Sequence, residues 1–317
     1  MDWEPYVTGT IARTVLSGLV IIPALGFSVL VLRKPGAKHD HTRLWVDFTK
    51  IALGLWSVSE LLRLIYWIIL AVTYARRRDG FGLIPHGIEY IVYVSSLLSY
   101  LGHVALLRAF FFLAHALTQL RQGAETDDSR TYHVGKKVIL GMSALIALVA
   151  VATFACQIAS TVLYEILPGR DRYVSGDWDN AIRLSFAAEY MSAINIGFLL
   201  IAALGMAVYA FLSHGKTRGS PVQKAATLFL TAVSLWLITR IWSFINIIKE
   251  LTGHFWDYES SFVGVSVADV ILVVWPTFAA LMLLYSLASN KVFSLSRLHY
   301  QENEDEQRVW DGRTQST

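Results

Sequence analysis

Polar and charged residues divide the chain into long apolar segments. The apolar segments cover roughly 11–32, 49–74, 87–119, 137–161, 182–212, 225–250 and 264–288. Each is longer than about 18 residues, the length at which an apolar helix can cross a hydrocarbon core of roughly 30 Å. Backbone N–H and C=O groups find no water in hydrocarbon, so such segments must be helical. The pattern predicts an all-α, polytopic membrane protein that folds as a seven-transmembrane-helix bundle.

The connections between the apolar segments are short, which leaves no room for a second folded domain. We therefore expect one transmembrane domain over residues 1–290. Residues 291–317 are charged and poor in aliphatic side chains, a composition typical of a disordered, here cytosolic, tail. The first segment has the hydrophobicity of a signal sequence. However, Asp2 and Glu4 precede it and no small-residue cleavage site follows, so we interpret it as a retained helix.

Lys and Arg residues are concentrated in alternate loops. The loops after the first, third and fifth segments are basic, whereas the loops after the fourth and sixth contain more acids than bases. Cytosolic loops hold the excess of Lys and Arg, so the N-terminus is predicted to be luminal and the C-terminus cytosolic. Three consecutive arginines at 76–78 oppose this assignment. We expect the endoplasmic reticulum or another endomembrane as the location.

The composition agrees with a membrane setting. Hydrophobic residues make up 55% of the chain and charged residues 16%, against about 25% charged residues in soluble domains. The single cysteine, Cys156, excludes an intrachain disulfide and a cysteine-based metal site. The net charge of +3 does not require a nucleic-acid partner, because the basic residues flank the membrane segments. The expected partners are the lipid bilayer and an apolar small molecule, with the oligomeric state left open.

Two charges interrupt the second apolar segment, within the stretch LWSVSELLRLIYW. Trp56, Glu60, Arg63 and Trp67 follow one another at spacings of four, three and four, which places them on one helix face. A charge at the centre of a membrane helix costs at least about 2.5–3.5 kcal/mol and is a functional hypothesis by default. The alternative is that Glu60 and Arg63 pair across one turn and only neutralise each other.

Polar stripes also follow one face of four later segments. The stripes consist of Glu89, Tyr93, Ser96, Tyr100 and His103; Ser185, Glu189, Ser192 and Asn195; Trp236, Arg240, Ser243, Asn246 and Glu250; and Ser266 and Asp269. Because lipid chains offer these groups no hydrogen-bond partners, we expect the groups to face other helices around one central pocket. Interhelical hydrogen bonds, worth about 0.6 kcal/mol each, explain the Ser and Asn residues. They explain the carboxylates less well, since carboxylates cost more to bury.

Several kinds of site are excluded by the residues. The last segment contains no lysine that could hold retinal as a Schiff base, and the histidines do not supply the two facing pairs that a haem between helices needs. No histidine–carboxylate spacing indicates a metal site. No glycine-rich phosphate loop, serine elbow or HExxH motif occurs. We therefore expect neither a metal nor a redox cofactor.

The remaining chemistry is that of carboxyl groups among many aromatic rings. A carboxyl group in a medium of low dielectric constant can stay protonated at neutral pH and act as a general acid, and aromatic faces stabilise carbocations. This combination favours a cyclase, although packing is the commoner role of such rings. We expect Glu60 and Asp269 as the acid/base pair, with Glu189 in reserve. The substrate-binding candidates are Trp56, Arg63, Tyr93, Tyr100, His103, Trp236, Arg240 and Asn246.

The layout resembles the small seven-helix membrane-bound terpene cyclases of fungal meroterpenoid pathways. The resemblance rests on the helix count, on Glu60 within LWSVSELLRLIYW and on Asp269 within VSVADVILVVWP. It implies acid-initiated cyclisation of a prenylated or epoxidised apolar substrate, with acids from an early and a late helix. An arginine close to either acid could instead keep it ionised and unable to donate a proton.

A second resemblance is to fungal seven-helix proteins of the lipid-translocating-exporter type and related receptor-like proteins. It rests on the segment RIWSFINIIKELTG, with Arg240, Glu250 and Gly253, followed by Glu259 and Asp269. It implies that the polar stripes bind a lipid or signal molecule and that the basic loops contact a partner or anionic headgroups. The alternative to a cyclase is therefore a non-enzymatic seven-helix receptor or lipid transporter.

Overall fold

The structure is a computed structural model that describes residues 4–33, 43–78, 87–122, 130–166, 176–217, 222–252 and 258–289. Its helices are α1 (Glu4–Leu32), α2 (Leu44–Arg78), α3 (Ile88–Gln122), α4 (Arg130–Ile166), α5 (Gly176–Lys216), α6 (Gln223–Leu251), α7 (Tyr258–Asp269) and α8 (Trp275–Ser289), with a π-helical segment, Val270–Val274, between the last two. These ranges contain no strand. The predicted all-α, seven-helix fold is confirmed.

Seven stretches of the described chain are long and apolar enough to cross a bilayer. The last of them, Phe262–Ser289, is formed jointly by α7, the π-helical segment and α8. The chain is therefore an integral membrane protein. The predicted tail over 291–317 lies outside the described residues.

Helix α3 is the central element of the bundle. In its most apolar 18-residue window 61% of the residues are buried, whereas the corresponding windows of the other six stretches range from 22% to 33%. It packs most extensively against α2 and also contacts α4, α5 and α6. At Gly102 a side chain would meet the backbone of α2, 3.4 Å from the Trp56 nitrogen, so this glycine permits the close approach of the two helices.

The bundle is closed by contact between α1 and α7, which join the first and last spans. Gly9 lies at this contact, where an added Cβ would be 2.8 Å from a ring carbon of Phe262. The aromatic ring of Tyr6 packs on the same ring, with 5.0 Å between centroids. We use N-terminal face for the end of the bundle at which α1, α3, α5 and α7 begin.

The π-helical segment follows directly from a proline. Pro276 is the second residue of α8 and cannot donate a backbone hydrogen bond, and its ring would clash with the carbonyl of Leu272 in a regular helix. The segment Val270–Val274 widens the turn at this place. Asp269, the last residue of α7, therefore lies at the start of an irregular turn.

Candidate functional site

Asp269 binds donors from two other helices. Its Oδ2 accepts a hydrogen bond from Arg13 Nη1 of α1 at 3.1 Å. Its Oδ1 accepts one from Trp242 Nε1 at 2.7 Å and one from Asn246 Nδ2 at 2.8 Å, both on α6. Both carboxylate oxygens are thus occupied by donors, and the carboxylate joins α1, α6 and α7.

Glu60 and Arg63 form the second ion pair of the site. Arg63 Nη1 donates to Glu60 Oε1 at 3.0 Å, and the Glu60 side chain is only 3% exposed. The pairing across one helical turn that the spacing predicted is confirmed. The two residues lie on α2, in the span that contains both flanking tryptophans.

Arg13 connects the two ion pairs. Its guanidinium carbon lies 4.3 Å from the ring centroid of Trp67, in cation–π geometry. It also interacts electrostatically with Glu60 and Arg63. We call Arg13, Glu60, Arg63 and Asp269 the charge network. The network contains Glu60 of the second span and Asp269 of the last span.

A second polar cluster lies beside the network, between α3 and α6. Trp236 Nε1 donates to His103 Nδ1 at 3.3 Å, and both side chains are buried. An indole N–H can only donate, so Nδ1 is the acceptor and the neutral imidazole has its proton on Nε2. Arg240, 4% exposed, donates from Nε to Thr239 Oγ1 at 3.2 Å. It interacts electrostatically with Arg63 and so adjoins the charge network.

A small polar cavity lies between α3, α4 and α5, with a volume of about 40 Å³. Its polar lining includes Tyr93, which contacts Thr161 Oγ1 at 3.0 Å, and Tyr100, whose hydroxyl lies 2.8 Å from Ser192 Oγ. One or two water molecules would fill this volume. Pockets for small organic molecules begin at about 300 Å³, so this cavity is too small for a prenyl chain.

The buried charges near the centre do not balance. Among the described residues, the charge network and Arg240 contain three arginines, Arg13, Arg63 and Arg240, and two carboxylates, Glu60 and Asp269, which leaves a formal charge of +1 (three minus two). Removing a charge from water costs several kcal/mol unless a partner compensates it. The site is therefore suited to one additional negative charge.

The polar stripes do not all meet in one pocket as predicted. Glu89 and Ser185 are exposed, and Glu189 is half-buried beside Glu250, outside the charge network. Glu89 lies in the first turn of α3 and Ser185 in the first quarter of α5, both nearer the N-terminal face, whereas Glu189 lies about 16 Å along the stretch that starts at Trp178. At the N-terminal face water can solvate polar side chains, which makes interior burial unnecessary.

Several aromatic residues face outward or pack in the core. Phe186, Tyr190 and Trp275 are 55%, 59% and 41% exposed, so their rings face the surroundings of the bundle. Trp56 is buried and stacks on Phe278 of α8, with 6.2 Å between centroids. Packing is thus the observed role of Trp56.

Sequence reasoning did not select Arg13. Arg13 is the one arginine inside the first apolar segment. A charge within an apolar segment could have marked it as a candidate site residue. Spacing within one helix could pair Glu60 with Arg63, but it could not pair Arg13 with a carboxylate 256 positions away.

No family model, curated protein or solved structure matches this chain. The fold and the site alone define its class. It is an all-α integral membrane protein with seven membrane-length helices in its described part and a charge network inside the bundle.

Proposed function

We propose that the protein is a non-enzymatic seven-helix receptor or lipid transporter that changes conformation when a ligand binds inside the bundle. The observation that supports this most is the position of the Arg13–Asp269 ion pair. It joins the first and last spans, directly before the π-helical segment Val270–Val274. An ion pair at a weakened point of a helix can serve as a two-state element.

The π-helical segment gives α7 a place to pivot. Irregular turns of this kind occur frequently at functional sites, and proline accounts for most sharp helix bends. While Arg13 binds Asp269, the end of α7 is fixed to α1. A ligand that competes for Arg13, or that changes the charge around it, would release α7 at this turn.

The same contacts occupy oxygens of both acids with donor groups. A proton on either oxygen of Asp269 would displace a donor, because Arg13, Trp242 and Asn246 occupy both oxygens. Arg63 occupies Oε1 of Glu60. This argument places the non-enzymatic proposal ahead of the cyclase.

The terpene cyclase is the second candidate. It is supported by the ion pair of Asp269 with Arg13 and by the electrostatic interaction of Glu60 with the same arginine. Glu60 would then act as the acid, and Asp269 would assist it. For both candidates we propose an endomembrane location, with the N-terminal face luminal.

Distance measurements between spin labels test the preferred proposal. Labels would replace Val94 of α3 and Val265 of α7, both exposed, after Cys156→Ser removes the native thiol. We expect Asp269→Asn to shift or broaden the distances, because the Arg13 tether is lost. Asp47→Asn is the matched control, since it removes a carboxylate from the partly exposed pair with Lys50. Unchanged distances in Asp269→Asn would refute the proposed pivot.

An assay with an epoxidised prenyl substrate separates the two candidates. Microsomes that contain the protein should form no cyclised product if it is a receptor or transporter. Product formation that Glu60→Gln abolishes, with membrane insertion intact, would establish the cyclase instead. Movement of a labelled lipid across reconstituted vesicles would identify the transporter within the preferred class.

A further inference from the structure

Arg240 is a buried cation without a carboxylate partner among the described residues. It is 4% exposed, and its described hydrogen bond runs from Nε to the neighbouring Thr239. The described interior ion pairs belong to Arg13 and Arg63. The acid of α6, Glu250, is ten residues from Arg240, about 15 Å along the helix. No carboxylate of the described residues therefore pairs with the Arg240 guanidinium.

Asn195 is one of seven residues in the described part of the chain with a buried side-chain polar atom that lacks a hydrogen-bond partner, and in Asn195 both polar atoms lack one. Its exposure is 0%, and neither Nδ2 nor Oδ1 has a hydrogen-bond partner there. A buried polar group without a partner is destabilising, so most such groups are paired. Asn195 therefore points to an interaction with a bound molecule.

Asn195 and His103 lie at one depth in the bundle. Alternate spans share a direction, so α3 and α5 run parallel, and Tyr100 contacts Ser192 between them. One turn further along each helix are His103 and Asn195. His103 is bound at Nδ1 by Trp236, which leaves its Nε2–H as a donor. Arg240 lies one turn after Trp236 on α6, which runs antiparallel to α3, and it interacts electrostatically with Tyr100, one turn before His103.

We propose that Arg240, His103 and Asn195 bind the carboxylate of an amphipathic molecule that enters the bundle from the bilayer. The three side chains supply guanidinium, imidazole and amide N–H donors, which match the oxygen atoms of a carboxylate. A single negative charge neutralises the formal +1 of the three arginines and two acids. This inference rests on the proposed function, since it names the class of its ligand.

The ligand should have an apolar chain as well as the carboxylate. The nearby cavity of about 40 Å³, lined in part by Tyr100 and Ser192, holds a small polar group and no more. A free small anion would lose its hydration on entering the bundle without any gain from apolar burial. A long-chain acid gains free energy for each methylene group removed from water, so it partitions into the bilayer from which the bundle is entered.

Equilibrium binding in nanodiscs of neutral lipid tests this inference. The probes are a labelled long-chain fatty acid, its methyl ester and acetate. We expect the acid to bind about tenfold or more tightly than either, because only the acid combines charge with an apolar chain. Arg240→Met should remove that preference. Arg183→Met is the matched control, because Arg183 is an exposed arginine of α5, and it should bind like the wild type.

A second variant protects the test against misfolding. Asn195→Leu replaces the unpaired amide by an apolar group of similar size, so it should fold at least as stably as the wild type and yet bind the acid more weakly. Equal binding of acid and ester, or wild-type affinity in folded Arg240→Met or Asn195→Leu, would overturn the inference. If the acid binds preferentially but the distance between the labels at Val94 and Val265 does not change in Asp269→Asn, the proposed function is refuted and this inference stands.

Discussion

Arg13 is the residue on which the interior of the bundle depends most. Its guanidinium makes an ion pair with Asp269 and stacks on Trp67. A planar guanidinium can do both at once, whereas the compact ammonium of a lysine cannot. Arg13 and Asp269 have side chains that are only 15% and 23% exposed, so solvent screens the pair weakly.

Replacing Arg13 should therefore destabilise the protein strongly. We expect Arg13→Gln to lower the free energy of unfolding by roughly 3 kcal/mol, because it leaves a buried carboxylate without its cation. Arg13→Lys keeps the charge but loses the stacking, so its loss should be smaller. Unfolding in mixed micelles with increasing denaturing detergent measures both. Wild-type stability of Arg13→Gln would show that Asp269 does not need this partner.

The sequence could predict contacts within a helix but not between helices. The spacing of Glu60 and Arg63 determines that they can meet, because α-helical geometry is local. The pairing of Asp269 with Arg13, Trp242 and Asn246 depends on how distant helices pack. No periodicity within one segment contains that information.

At the scale of elements, the contact between α1 and α7 closes the bundle. Gly9→Leu should disrupt it, because the side chain would overlap Phe262, and overpacking costs about 1–3 kcal/mol. Gly18→Leu is the control, since nothing lies within 4 Å of its Cβ position. The same unfolding assay should separate the two variants. Equal stability would contradict the close approach of α1 and α7 at Gly9.

The π-helical segment before Pro276 is the other element-scale feature with a testable consequence. Pro276→Ala restores a backbone donor and removes the ring clash, so we expect the turn to become regular and more stable. Amide hydrogen exchange over 270–276 should then slow. The distance between labels at Val94 and Val265 should also respond less to Asp269→Asn. Unchanged exchange would show that the proline does not cause the irregular turn.

For the whole molecule, hydropathy predicted the seven spans because membrane insertion depends on local apolar length. The central position of α3 was not predicted, since it depends on contacts with four other helices. The prediction that every polar stripe faces one central pocket was too broad. The ends of α3 and α5 near the N-terminal face can be solvated, so Glu89 and Ser185 remain exposed there.

The central claim is that Arg13 and Asp269 hold the first and last spans together within one charge network. A double-mutant cycle with Arg13→Gln, Asp269→Asn and the double variant measures this coupling directly. We predict that the double variant loses about 1–3 kcal/mol less stability than the sum of the two single losses. Losses that add to within about 0.5 kcal/mol would show that the two residues are independent and would contradict the account.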